Sequence, residues 1–229
     1  MFKPYNKVFE ERREVFLNKL NGKAAIIPGA NLVTHHADCE YPFRQDSNFW
    51  YLTGFDEPDS VALFLSHKPK GERFILFVAP KDVIGEVWHG FRWGLEGAEK
   101  EFKADKAHSI NDLKDLLPVY IDGSDEIVYS IGKNDRIEKI VLDIFSKQLE
   151  GRSRVGKGAN AIKSPEIYLN EMRLIKSDFE ISRMREATQI SAEAHELVRE
   201  LISSKDNERQ IQGLIEGFFL EKGARGPAY

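Results

Sequence analysis

The sequence predicts an α/β fold over roughly residues 1 to 150, followed by two helices of a different character. Three observations carry this. Short apolar runs with β-branched and aromatic content, "KAAIIPG", "SVALFLSH", "RFILFVAP" and "EIVYSI", have the length of buried strands. Segments of helical period precede and follow them. Beyond residue 177 the apolar spacing is helical throughout.

The first element is a helix over about residues 6 to 20, where Val8, Arg12, Val15, Phe16 and Leu20 recur at helical spacing. Asn21-Gly22 ends it, and "KAAIIPG" follows as a short buried strand. "SVALFLSH" and "RFILFVAP" are two more strands, joined by a polar loop holding Pro69 and Gly71. "EIVYSI" is another strand, ahead of a helix that carries Ile137, Ile140, Val141, Ile144 and Phe145 on one face. "GRSRVGKGANAIKSP" is basic, rich in glycine and without period, so it reads as a linker or long loop. Ser177 and Glu180 then form a capping-box pattern before Ile181, Met184, Ala187, Ser191, Ala194 and Val198. Asp206 is placed to cap a second helix with the stripe Ile211, Leu214, Ile215, Phe218 and Phe219, which Gly223 closes. Two helices alone cannot bury both stripes, so either they fold onto the first domain or they open a second whose sheet is missing.

Composition narrows the function. The 229 residues are 41% hydrophobic and 31% charged, with a net charge of -4. That balance gives no overall attraction to nucleic acid or to an anionic membrane. No run approaches the roughly 18 apolar residues of a membrane span. The charged N-terminus, "MFKPYNKVFEERREVF", is unlike a secretory signal. Cys39 is the single cysteine, so neither an intrachain disulfide nor a thiolate cluster can form. Together these features point to the cytoplasm.

No complete catalytic constellation is visible. "HHADCE" gathers His35, His36, Asp38, Cys39 and Glu40, but adjacent histidines in an extended chain face opposite ways, and the segment reads as a polar loop edge. "GRSRVGKG" nearly spells a phosphate loop, yet Gly158 stands where Ser or Thr must bind Mg²⁺, and a helix precedes it instead of a strand. His195-Glu196 lacks the second histidine of a zinc-protease helix, since position 199 is Arg. His195 is therefore expected at the edge of a helix interface. A serine nucleophile has no G-x-S-x-G elbow. Cys39, the remaining nucleophile, is flanked by acids.

The most distinctive stretch is "YPFRQDSNFWYLTGFDEPDSVALFL", residues 41 to 65. Arg44, Gln45, Asp46, Ser47 and Asn48 crowd polar groups against Phe49, Trp50 and Tyr51. An Arg44–Asp46 pair beside these rings predicts an ordered, hydrogen-bonded elbow that locks a helix onto the sheet.

That stretch, "EYPFRQDSNFWYLTGFDEP", resembles the N-terminal domain of the Xaa-Pro aminopeptidases, the aminopeptidase P enzymes. "EVWHGFRWG" resembles the Trp-containing loop after that domain's third strand. "EMRLIKSDFEISRMREATQISAEAHE" resembles the junction and first helix of the catalytic domain, and "EGFFLEKGARGPAY" the segment before its first catalytic strand. The resemblance implies a mixed-sheet, creatinase/aminopeptidase P-like domain over residues 1–170. Residues 171–229 would be the truncated start of a pita-bread (α+β) metallopeptidase domain. It also implies a cytoplasmic homo-oligomer that cleaves peptides with proline at the second position, with no nucleic-acid or membrane partner.

The family's two Mn²⁺ ions, held by two Asp, one His and two Glu, correspond to positions after Tyr229. The resemblance therefore gives this chain no catalytic residue and no metal ligand, and alone it is expected to be inactive and metal-free. What it does give is a substrate-pocket rim. Tyr229 matches a tyrosine at the edge of the metal pocket. Trp88 matches a tryptophan that reaches a neighbouring subunit's active site in oligomers, and Asp38 lies in a segment that resembles one doing likewise. For Trp88 the plain alternative is a ring packed under its own loop. Two further readings are a prolidase-like dipeptidase fragment and a non-catalytic peptidase-like binding module, the latter resting on Arg152, Arg154 and Lys157.

Overall fold

The computed structural model describes residues 6–228. Contacts divide the chain into two compact units, one ending at Met172 and one beginning at Arg173.

The first unit opens with α1 (Asn6–Leu20), then β1 (Ala24–Pro28) and a hairpin of β2 (Thr34–His36) and β3 (Cys39–Glu40). Next come α2 (Ser47–Thr53), β4 (Val61–Leu65) and β5 (Phe74–Val78), then α3 (Glu86–His89) and α4 (Gly94–Phe102). After β6 (Lys106–Ser109) a 3₁₀ turn leads into α5 (Leu113–Ile121). The unit ends with β7 (Ile127–Val128), α6 (Asp135–Val155), β8 (Ile162–Lys163) and most of α7 (Glu166–Leu174). The main sheet has the order β6-β5-β4-β1-β7-β8. β1/β4 and β4/β5 are antiparallel, whereas β5/β6, β1/β7 and β7/β8 are parallel, so the sheet is mixed.

Both faces of this sheet are covered, which is why its central strands read as continuous apolar runs. Ala25, Ile27, Ala62, Phe64, Leu76 and Val78 point into one core with Phe16, Leu20, Phe49, Phe102 and Leu169. The alternate residues Ala24, Ile26, Val61, Leu63, Ile75 and Phe77 face a second core with Leu117, Ile121, Val141 and Ile144. The two-residue period of a strand sorts one sequence run into two cores.

Several elements differ from the sequence expectation. On α1 the buried face is Phe9, Arg12, Arg13, Phe16, Leu17 and Leu20, while Val15 is exposed. Arg12 and Arg13 are buried because each donates from Nη1 to a carbonyl in the last turn of α2, Tyr51 O and Leu52 O, both at 3.2 Å. Their guanidinium planes lie 4.0 Å from the Tyr51 ring centre and 4.3 Å from that of Phe74. Two cations thus satisfy the carbonyl end of α2 and its dipole.

The expected linker after residue 150 is regular near both ends and a loop between. α6 continues through Gly151 to Val155 and stops at Gly156, which takes the left-handed conformation (φ 68°). Residues 162–163 then add the sheet's last strand. The basic side chains hid a helix end, where Lys and Arg are favourable.

The elbow forms, but with other partners than expected. Arg44 is exposed. Asp46 instead caps α2, accepting from Asn48 N–H and Phe49 N–H at 2.9 Å, and pairs with Lys133 at 3.7 Å. Gln45 is the buried organiser. Its Oε1 accepts from Ala30 N–H (2.7 Å) and Asp46 N–H (2.9 Å), and its Nε2 donates to Phe55 O (3.2 Å) and Glu57 O (2.8 Å). Gly54 ends α2 with φ 66°, and a methyl there would run into the Phe9 ring.

The second unit is an antiparallel pair, α8 (Asp178–Leu201) and α9 (Glu208–Glu221), joined by a 3₁₀ turn. The capping box at Ser177 and Glu180 is present. Asn207, not Asp206, caps α9, accepting from Arg209 N–H at 3.0 Å and Gln210 N–H at 3.3 Å. Gly223 follows α9 with φ 82°. Ile211, Leu214, Ile215, Phe218 and Phe219 all stay half-buried, and Ala194 is the one fully buried residue described on these helices. His195, expected at the edge of a helix interface, is exposed, with Nδ1 2.8 Å from Ser191 O.

Four outcomes follow from this architecture. Gln45→Leu strands buried amide and carbonyl groups and should cost about 2–4 kcal/mol in urea unfolding. Lys133→Ala, which removes half-exposed ion pairs, should cost less than about 1 kcal/mol. Gly54→Ala combines backbone strain with overpacking against Phe9 and should cost about 2–4 kcal/mol. The half-covered α9 stripe should make the chain self-associate in light scattering, whereas a chain ending near residue 170 should be monomeric.

Candidate functional site

The sheet topology gathers three loops at one end. Pro28 at the C-terminal end of β1 pairs with Val61 at the start of β4, and Val61 pairs with Phe77 near the end of β5. The β2/β3 hairpin, the elbow and the loop after Val78 therefore all leave from the same sheet end.

The loop after β5 carries Trp88 and is built as a firm neck with an apolar tip. At the neck, Lys81 Nζ lies 3.9 Å from Glu86 Oε1 and 4.8 Å from the Phe91 ring centre. Glu86 Oε1 also accepts from Arg92 N–H at 3.3 Å. Edge-to-face contacts run from Phe91 to Trp93 (5.0 Å), Trp93 to Phe102 (5.3 Å) and Phe102 to Phe55 (4.8 Å), joining the neck to the core. Asp82 starts the turn, taking the Ile84 N–H at 3.1 Å, and the single helical turn α3 ends at Gly90, with φ 77°.

At the tip the pattern reverses. Val83, Ile84, Val87 and Trp88 are 75%, 81%, 80% and 84% exposed. Trp88 is not packed under its own loop. Four exposed apolar side chains within six positions, on a braced neck, form a surface suited to insertion into a partner.

The neck closes on a residue the sequence did not single out. Glu57 is only 5% exposed. Its Oε1 accepts from Trp93 N–H at 2.7 Å, while its Oε2 is buried without a partner. Burial pushes the Glu57 carboxyl above the usual carboxylate range, against the opposing pull of the Trp93 N–H and of Arg92. Nothing in "FDEP" announces a buried acid, because its partner lies 36 positions away.

Asp38 sits at the turn of the β2/β3 hairpin, beside Ala37 with φ 49°. The hairpin residues are exposed, including Asp38, and Cys39 is a free thiol with Sγ 3.9 Å from Asp38 Oδ1. The His35 ring meets Tyr41 edge to face at 4.6 Å. Trp88 and Asp38 thus share a sheet end, while Tyr229 lies outside the described residues.

Among the described residues there is no group of three or more His, Cys, Asp or Glu side chains placed to hold a metal ion. This donor set does not fit the two-metal centre that the resemblance implies. No helix among the described residues is long and apolar enough to cross a membrane. The near-phosphate loop is the end of α6, where Arg152 Nη1 donates to Gly158 O.

Comparison with known proteins agrees with these features. The family described as "Aminopeptidase P, N-terminal domain" matches residues 9–129. The chain is 33% identical to the Xaa-Pro aminopeptidase of Escherichia coli (strain K12) over 223 residues, covering 96% of this chain and 50% of the relative. It is 30% identical to intermediate cleaving peptidase 55 of Saccharomyces cerevisiae, covering 96% of this chain and 44% of that one. Among solved structures, Pseudomonas aeruginosa aminopeptidase PepP superposes with a TM-score of 0.89 at 30% identity, covering 100% of this chain and 52% of that one. Proline aminopeptidase P II from Yersinia pestis gives 0.88 at 33% identity, covering 99% and 52%. The chain spans about half the length of the curated relatives it matches. The mixed sheet, the elbow and the helices that follow are accordingly an aminopeptidase P-like N-terminal fold and its continuation, and the chain belongs to the aminopeptidase P family.

Proposed function

We propose that this chain is the scaffold and active-site-rim portion of a cytoplasmic, metal-dependent Xaa-Pro aminopeptidase. The enzyme would remove an N-terminal residue that precedes proline. Residues 1–170 would be the N-terminal domain and 171–229 the first helices of the catalytic domain. The observation that carries the reading is the Trp88 loop: an exposed apolar tip on a braced neck, in a chain that matches such enzymes from end to end at half their length. In a homo-oligomer this tip, with Asp38 from the same sheet end, would complete the rim of a neighbouring subunit's substrate pocket, and Tyr229 would line the rim of the chain's own. The two metal ions, manganese in the family, would be held by residues that this chain does not supply.

A binding module acting through the basic stretch at 152–157 is less well supported, because Arg152 is engaged in closing α6 onto Gly158. A prolidase-like assignment would need the metal-ligand region, where substrate choice is made.

Two outcomes test the proposal. The chain by itself should show neither tight Mn²⁺ binding in isothermal titration nor cleavage of an Xaa-Pro peptide; robust cleavage would overturn the scaffold reading. In a chain extended through the metal-ligand region, Trp88→Ala should lower kcat/KM about tenfold, or ~1.4 kcal/mol, with the melting temperature unchanged. An unchanged kcat/KM would remove Trp88 from the rim.

A further inference from the structure

Glu57 has no place in the rim described above, yet it is the buried polar group on which the Trp88 loop closes. Its Oε1 takes the Trp93 N–H at the point where the loop rejoins α4, and its Oε2 is buried without a partner. Its backbone carbonyl is held on both sides, because Glu57 O accepts from Gln45 Nε2 at 2.8 Å and from Ser60 Oγ at 3.3 Å. A backbone held in this way under a half-satisfied carboxyl makes the neck hydrogen bond the variable part. We infer that Glu57 is the positioning residue of the Trp88 loop: its carboxyl closes the neck on the Trp93 N–H, and gain or loss of its proton sets how firmly the Val83–Trp88 tip is held. The inference rests on reading that tip as the part that meets a partner.

The direction follows from the surroundings. With the neck closed, the carboxyl is buried, and an ionised carboxylate with one oxygen unsatisfied is costly there, more so than the neutral acid. With the neck open, water reaches both oxygens and the ionised form is no longer penalised. The charged groups facing Glu57 act both ways. Arg92 favours the carboxylate, while Glu86 and Asp56 disfavour it. Burial is the largest influence, so the closed state prefers the proton. By linkage, whatever binds the closed state more tightly than the open one favours closure, and here that is the proton. The closed neck is therefore most stable below the ordinary glutamate range. It loses that advantage as pH rises through the elevated value of the buried group, and the tip becomes freer toward neutral pH.

Hydrogen–deuterium exchange of this chain tests the inference, read on peptides covering 82–95 from about pH 4.5 to about pH 7.5 and corrected for intrinsic exchange. In the wild type, protection of the Trp93 amide and of the loop should fall as pH rises, while β5 peptides stay unchanged. Glu57→Gln keeps an acceptor but cannot ionise, so its protection should be independent of pH and several-fold greater than wild type at the upper end. Glu57→Ala removes the acceptor and should expose the Trp93 amide at every pH. A merely structural glutamate would give a flat wild-type profile, or a Gln variant exchanging as fast as wild type at the upper pH, and either result overturns the inference. The measurement needs neither a neighbouring subunit nor a metal. Failure here would leave the rim role of Trp88 standing, and a neutral Trp88→Ala would leave the Glu57 result standing.

Discussion

The Gln45 carboxamide holds three chain segments at one point, and the functional end of the sheet depends on it. Its oxygen fixes Ala30, where the chain leaves β1 for the hairpin, and its nitrogen fixes the carbonyls of Phe55 and Glu57, where the chain leaves α2 for β4. Gly29 packs against the same group: a Cβ there would lie 3.0 Å from Gln45 Oε1. One buried amide, fully hydrogen-bonded, therefore decides where Asp38 and Glu57 depart from the sheet. Because its partners are buried backbone groups, they have no water to fall back on, and the arrangement is strongly specified.

From that point the rest of the first unit is braced through α2. Arg12 and Arg13 close its carbonyl end from α1, and Asp46 closes its amide end. Lys133 links Asp46 to Glu166 at the start of α7, while Tyr51 Oη donates to Met172 O near that helix's end at 3.1 Å. The short helix is thus tied to α7 at both ends. The elbow that identifies the family is also the joint through which the first unit holds its last helix.

Much of this was legible in the sequence. The central strands announced themselves because a sheet covered on both faces needs uninterrupted apolar runs. The capping box at Ser177 and Glu180 was legible because its two hydrogen bonds are local. Of the candidate site, Trp88 and Asp38 were found by resemblance, and both are exposed. The short elements α4, β6 and α7 escaped notice because they are brief and only partly apolar, and α5 because Pro118 stands inside its apolar run. The end of α6 was hidden by Gly151 and by basic residues that suit a helix terminus as well as a loop. Arg44 was an attractive partner for Asp46 because it stands two positions away, but its side chain is exposed, and Lys133 pairs with Asp46 from another loop instead.

The sequence by itself determined what is local: which runs are the central strands, which faces of α6 and α9 are apolar, and the capping box that begins α8. Tertiary structure alone decided what depends on distant partners: that α1 buries two arginines, that Gln45 gathers three chain segments, and that Glu57 meets Trp93 at the neck of the loop. The physical reason is common to all three. A polar group can be buried only where another segment supplies its hydrogen bond, and the identity of that segment is set by the fold rather than by neighbouring residues.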